Sequence, residues 1–134
     1  ALPPAPAPAR GGGGCCFITT ACVQYKGLDD NCEELTVLRD FRDHYLLKKS
    51  NGIQLFNMYY QHSPAILSGI RRRKDEEEIL ARLYLVIRQC VEAIKRGDNE
   101  FAYRTYCRMV LELKEEFIPE IEIMLPGIDN LREQ

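Results

Sequence analysis

Apolar residues recur at three- and four-residue intervals through most of the chain, the spacing of helices that bury one face. The first such run is Leu35, Leu38, Phe41 and Tyr45, with Val37 and Leu46 beside them. Asp30 followed three residues later by Glu33 has the form of a reciprocal capping box, in which each side chain takes a backbone N–H that the first turn leaves without a partner. Ser50-Asn51-Gly52 predicts the end of this helix, because glycine or asparagine tolerates the left-handed backbone of a C-terminal cap. A second helix is expected over Ile53 to Gln61. Ser63 and Pro64 then cap and open a short third one through Ile70.

Two longer runs follow. From Glu76 to Arg96 the apolar face is Ile79, Leu80, Leu83, Val86, Ile87, Cys90, Val91 and Ile94, and Gly97 stops the helix. Asp98 or Asn99 caps the next, from Glu100 to Glu116, with Phe101, Ala102, Tyr106, Met109, Val110 and Leu113 turned inward. Together they predict an αα-hairpin, with no second copy at a fixed period to make a solenoid. Between the second and third parts, Arg71-Arg72-Arg73-Lys74 precedes Asp75-Glu76-Glu77-Glu78. In an unbroken helix each base would meet an acid four positions on; in a broken one, Asp75 and Glu78 form a second capping box. Either way the run reads as a solvated charge cluster rather than a nucleic-acid patch. After Pro119, Glu120 to Leu125 alternates glutamate with isoleucine, and its state stays open.

The helical pattern is missing at the N-terminus. Residues 1–14 alternate Ala and Pro and then run into glycine, which reads as a linker or tag remnant. Cys15 to Val23 is β-branched, aromatic or small and is bounded by glycine on both sides, so a short strand or compact loop is expected. The fold class is therefore mostly α: a small bundle of about five helices with a C-terminal αα-hairpin and a short cysteine-bearing loop or strand in front. One domain is expected over 15–134, its first part spanning 15–64 and its hairpin part 65–134.

Length and charge narrow the partners. The chain has 134 residues, 46% of them apolar and 28% charged, with a net charge of -2. That balance calls for no nucleic acid, and no run approaches the roughly 20 apolar residues that cross a bilayer. Six cysteines are many for this length but fewer than in small disulfide-held secreted chains, which points to reduced thiols in a cytoplasm.

Four of the six, Cys15, Cys16, Cys22 and Cys32, fall within eighteen residues. Clustered thiolates suit zinc or an iron–sulfur cluster, or a redox-active disulfide. The spacing lacks the C-x-x-C knuckle of common zinc sites, and an extended run would hold the Cα atoms of Cys16 and Cys22 about 20 Å apart. A shared site requires Phe17 to Ala21 to turn back. Cys32 lies in the first turn of a capped helix, where the dipole favours thiolate, and is the best candidate for a reactive thiol. Cys90 and Cys107 are expected to be buried packing residues. His44 and His62 fit no ligand pattern. Arg39, Asp40, Arg42 and Asp43 place Arg39 one turn from Asp43; they solvate the helix, lock a loop or set a nearby thiol's ionisation. Tyr59-Tyr60 adds bulk to the core, with one hydroxyl reaching a polar partner.

The ordered set Cys16-Phe17-Ile18-Thr19-Thr20-Ala21, Glu34-Leu35, Leu38-Arg39-Asp40-Phe41-Arg42-Asp43, Tyr59-Tyr60 and Ser63-Pro64 resembles the bacterial CFI-box proteins over somewhat more than a third of the chain. In that group the box is often found near the C-terminus of longer proteins, which implies a sorting or processing role. Here some seventy residues follow the match. The leading expectation is a non-enzymatic domain with a cysteine-based site. The alternative is an adaptor whose hairpin binds a protein partner while the cysteines are structural. A cysteine-nucleophile enzyme using Cys32 or Cys16 comes third, because the sequence shows no general base.

Overall fold

The structure, a computed structural model, describes residues 17–122. Five α-helices account for most of them: α1 Phe17–Tyr25, α2 Glu33–His44, α3 Gly52–Arg71, α4 Glu76–Lys95 and α5 Asn99–Phe117. A single 3-10 turn at Leu46–Lys48 joins α2 to α3, and the described residues contain no strand. The expected helical bundle is what forms, with α4 and α5 as its C-terminal hairpin. No helix among the described residues is long and apolar enough to cross a membrane.

Residues 17–23 are helical, which corrects the expected strand or loop. Ile18, Thr19, Ala21, Cys22 and Val23 are all buried, and α1 packs chiefly against α4 and α3. A helix buried on nearly every side is apolar all round and shows no 3.6-residue stripe. Its β-branched residues are poor helix formers, so tertiary packing must supply the stability. The helix closes at Gly27 (φ 81), where Leu28 N–H reaches Val23 O at 2.9 Å and Gly27 N–H reaches Gln24 O at 2.9 Å. This is the paired closure of a Schellman motif, and Leu28 packs in the same small cluster as Val23. Gly97 (φ 85) ends α4 in the same manner, with Asp98 N–H on Ala93 O at 2.8 Å.

Other boundaries move for local reasons. Asp30 caps nothing, because α2 begins later, at Glu33, with Cys32 as its N-cap. Asp29 instead accepts from Asn31 N–H, and Asp30 pairs with Arg39. Gly52 opens α3 rather than closing α2. A Cβ there would lie 1.7 Å from Leu46 O, so the position requires glycine for close backbone approach. The expected break at Ser63-Pro64 is absent and α3 runs on through Pro64. Leu55, Met58, Tyr59, Ile66, Leu67 and Ile70 form one continuous buried face across it, which holds the helix despite the missing N–H. Between α3 and α4 the chain does break, but Asp75 binds Arg73 at 3.1 Å instead of capping α4. At α5 the expected cap forms: Asp98 Oδ1 accepts from Phe101 N–H at 3.2 Å.

Candidate functional site

The described cysteines do not converge. Cys22 is fully buried in α1 and Cys32 is half-buried at the start of α2; both are free thiols. Cys15 and Cys16 lie outside the described residues. Among the described residues no three histidines, cysteines or acids are placed to share a metal ion. Cys90 and Cys107 are buried, as expected, and Cys90 Sγ donates to Ala102 O at 3.8 Å. Burial pushes the thiols of Cys22, Cys90 and Cys107 up to about 12.

The low pKa expected of Cys32 is not found. Burial raises the thiol and the neighbouring Glu34 carboxylate raises it further; the N–H groups of Leu35 and Glu34 pull the other way and are outweighed. The helix dipole falls off within a turn, whereas the carboxylate is in direct contact.

That carboxylate belongs to a cluster absent from the sequence reading. Glu34 is 6% exposed. Its Oε2 accepts from Tyr84 Oη at 2.6 Å and from Arg88 Nη1 at 3.2 Å, both from α4. Arg88 also reaches Glu33 at 3.2 Å and pairs with Glu92, while Lys95 binds Glu33 at 2.8 Å. Burial alone would raise the Glu34 carboxyl, but the Tyr84 hydroxyl and the Arg88 charge hold it below the usual range. The cluster ties α2 to α4. Its one sequence signal is that Glu34 shares a helical face with Leu38 and Phe41; Tyr84 and Arg88 carry none, since their meeting with α2 is a tertiary event.

The motif residues do meet. Thr19 from the box, Leu38, Phe41 and Arg42 from α2, and Tyr59 from α3 line one apolar cavity with Tyr106 of α5. It is about 30 Å³, room for roughly one water or one methyl group. The Tyr59 hydroxyl finds a polar partner: its Oη accepts from Ile18 N–H at 3.2 Å, satisfying an amide in the first turn of α1. Of the charged members of the α2 motif, Asp40 and Asp43 are exposed, whereas Arg39 and Arg42 are largely covered. Arg39 pairs with Asp30 at 2.7 Å, Arg42 with Asp43 at 2.7 Å, and Asp40 with His44 at 3.0 Å. The expected turn-spaced pairing of Arg39 with Asp43 is replaced by these. Ser63 Oγ is buried without a hydrogen-bond partner.

A second polar cluster joins the α2–α3 connection to α5. Glu100 accepts from Tyr45 Oη at 2.8 Å, Lys49 at 3.1 Å and Arg104 at 3.0 Å. Lys49 Nζ lies over the rings of Tyr45 and Tyr103 at 5.3 and 4.8 Å. The donors, Arg104 foremost, hold the Glu100 carboxyl down at about 2.

Comparison with known proteins finds no matching family model, no matching curated protein and no matching solved structure.

Proposed function

We propose that this chain is a non-enzymatic helical module that acts by binding another protein, with its described cysteines serving as packing residues. The observation that carries the reading is the position of Cys22. Cys22, the residue that directly follows the box, is wholly buried in the bundle core, and burial keeps its thiol protonated. In this reading the resemblance to CFI-box proteins is one of architecture: α1, which carries Phe17 to Ala21 of the box, is the buried hub against which α4 and α3 are packed. Glu34 ties α2 to α4 through Tyr84 and Arg88, and the α4–α5 hairpin exposes Leu85 and Phe101.

Thiol counting under anaerobic conditions, with metal analysis of the same sample, tests this. Cys22, Cys90 and Cys107 should alkylate only on unfolding, since a pKa raised from 9.0 to about 12 leaves about a thousandfold less thiolate. The preparation should carry no stoichiometric metal. Alanine at Cys22 should lower stability without altering partner binding in a folded variant. Rapid labelling of native Cys22, or a bound metal lost on its substitution, would refute the reading.

A second reading has one observation in its favour. Cys22, Cys90 and Cys107 are buried and the thiol of half-buried Cys32 is raised, so a cysteine site open to solvent falls to Cys15 and Cys16, which precede the described residues. It puts a redox or metal site, zinc or iron–sulfur, on Cys15 and Cys16. A metal or a reversible disulfide that is lost in Cys16→Ser and retained in Cys22→Ser would establish it.

A further inference from the structure

The groove between α4 and α5 has a floor of Leu83, Val86, Met109 and Leu113 and a volume of about 290 Å³, and it is flanked by Arg82 and Arg108. Among the described residues Arg39, Arg42, Lys49, Arg73, Arg88, Lys95, Arg96, Arg104 and Lys114 hold carboxylates. Among the described residues Arg82 and Arg108 hold none, and Arg108 Nε is buried with no acceptor at all. A buried donor without an acceptor is costly, the more so when the group is charged.

Leu85, 64% exposed, adds to this edge. It lies three residues from Arg82 and four from Gln89, so all three share one side of α4. The groove's own acids leave the arginines available: Glu116 is bound to Arg73 at 3.2 Å, and Glu112 forms no ion pair with Arg108 one turn before it.

We infer that this groove is a docking site for an amphipathic helix of a partner protein, one that sets apolar side chains on Val86 and Leu85 and presents carboxylates to Arg82 and Arg108. The inference rests on the protein-binding reading above and specifies its surface. Two antiparallel helices offer a third the same ridge-and-groove packing they use on each other. Guanidinium groups without partners select a carboxylate by bidentate hydrogen bonding.

The test is selection of a displayed helical peptide library on the whole chain, followed by fluorescence anisotropy with the recovered peptides. Recovered sequences should combine an i, i+3, i+4, i+7 apolar stripe with flanking Asp or Glu. Their binding should weaken about tenfold in Arg82→Glu and again in Arg108→Glu, and by a similar factor when the peptide acids become amides. Arg82 is exposed, so its variant remains informative if Arg108→Glu disturbs the fold, which circular dichroism reports. Peptides that bind Arg82→Glu and wild type equally would overturn the groove assignment while leaving a binding role elsewhere on the chain. Failure to recover any acidic amphipathic peptide would also overturn it.

Discussion

Helices α1 and α4 both carry apolar residues and both touch α2 and α3, yet they are used in opposite ways. In the nine-residue α1, Ile18, Thr19, Ala21, Cys22 and Val23 are buried on successive faces. The twenty-residue α4 buries Ile79, Leu80, Leu83, Ile87, Cys90, Val91 and Ala93 and leaves Arg82, Leu85 and Gln89 outside. The difference teaches where chemistry can reach solvent. A helix enclosed by its neighbours has no free face to act with, so the box in α1 organises the bundle. A helix with one outer face, like α4, can receive a partner.

The largest effect that separates the two should come from truncating their apolar residues in turn. Ile18→Ala empties a fully buried site and should cost about 3 kcal/mol in urea unfolding. A loss below about 1 kcal/mol would show that α1 is not the hub. Tyr59→Phe comes next. It removes the acceptor for Ile18 N–H and should cost about 1–2 kcal/mol, with faster hydrogen exchange at Ile18 alone in α1.

A smaller loss should follow acidification, and it belongs to the half-exposed start of α5 rather than to α1. The Glu100 carboxyl titrates at about 2 in the fold against a reference of 4.5. A carboxyl depressed in this way contributes fully above the reference value and loses its contribution as pH falls from 4.5 towards 2. Wild type should therefore lose more stability over that interval than Glu100→Gln; parallel curves would break the assignment. The smallest effect is expected at Leu85→Ala, which should change stability by no more than about 0.5 kcal/mol while weakening recovered peptides. A large stability loss there would mean that the outer face of α4 is not free.

The amphipathic elements were legible because their pattern is local. The 3.6-residue stripes of α2, α4 and α5 each report one buried and one solvated face, and Gly97 and Asp98 mark a boundary through backbone and cap chemistry that involves only neighbours in sequence. Tyr59 was readable as a buried ring whose hydroxyl needs a partner, though not that the partner is Ile18 N–H. Helix α1 was not legible: burial on nearly every side erases the periodicity by which a helix is recognised, and its β-branched residues point locally to strand. Pro64 misled for a related reason, since a continuous buried face on α3 overrides a local breaker.

The candidate chemistry divides in the same way. Residue type and clustering along the chain were enough to single out the cysteines and the box. Their ionisation was not determined at that level. Cys32 has the helix-start position that favours thiolate, but its burial, together with the carboxylate of Glu34 that Tyr84 and Arg88 hold from fifty or more residues away, outweighs that effect. The sequence alone determined a helical bundle with a C-terminal hairpin, because helix periodicity and caps are written in neighbouring residues. Only the tertiary structure decided that α1 is core and that the hairpin carries the open groove, because burial and charge pairing depend on which distant segments meet.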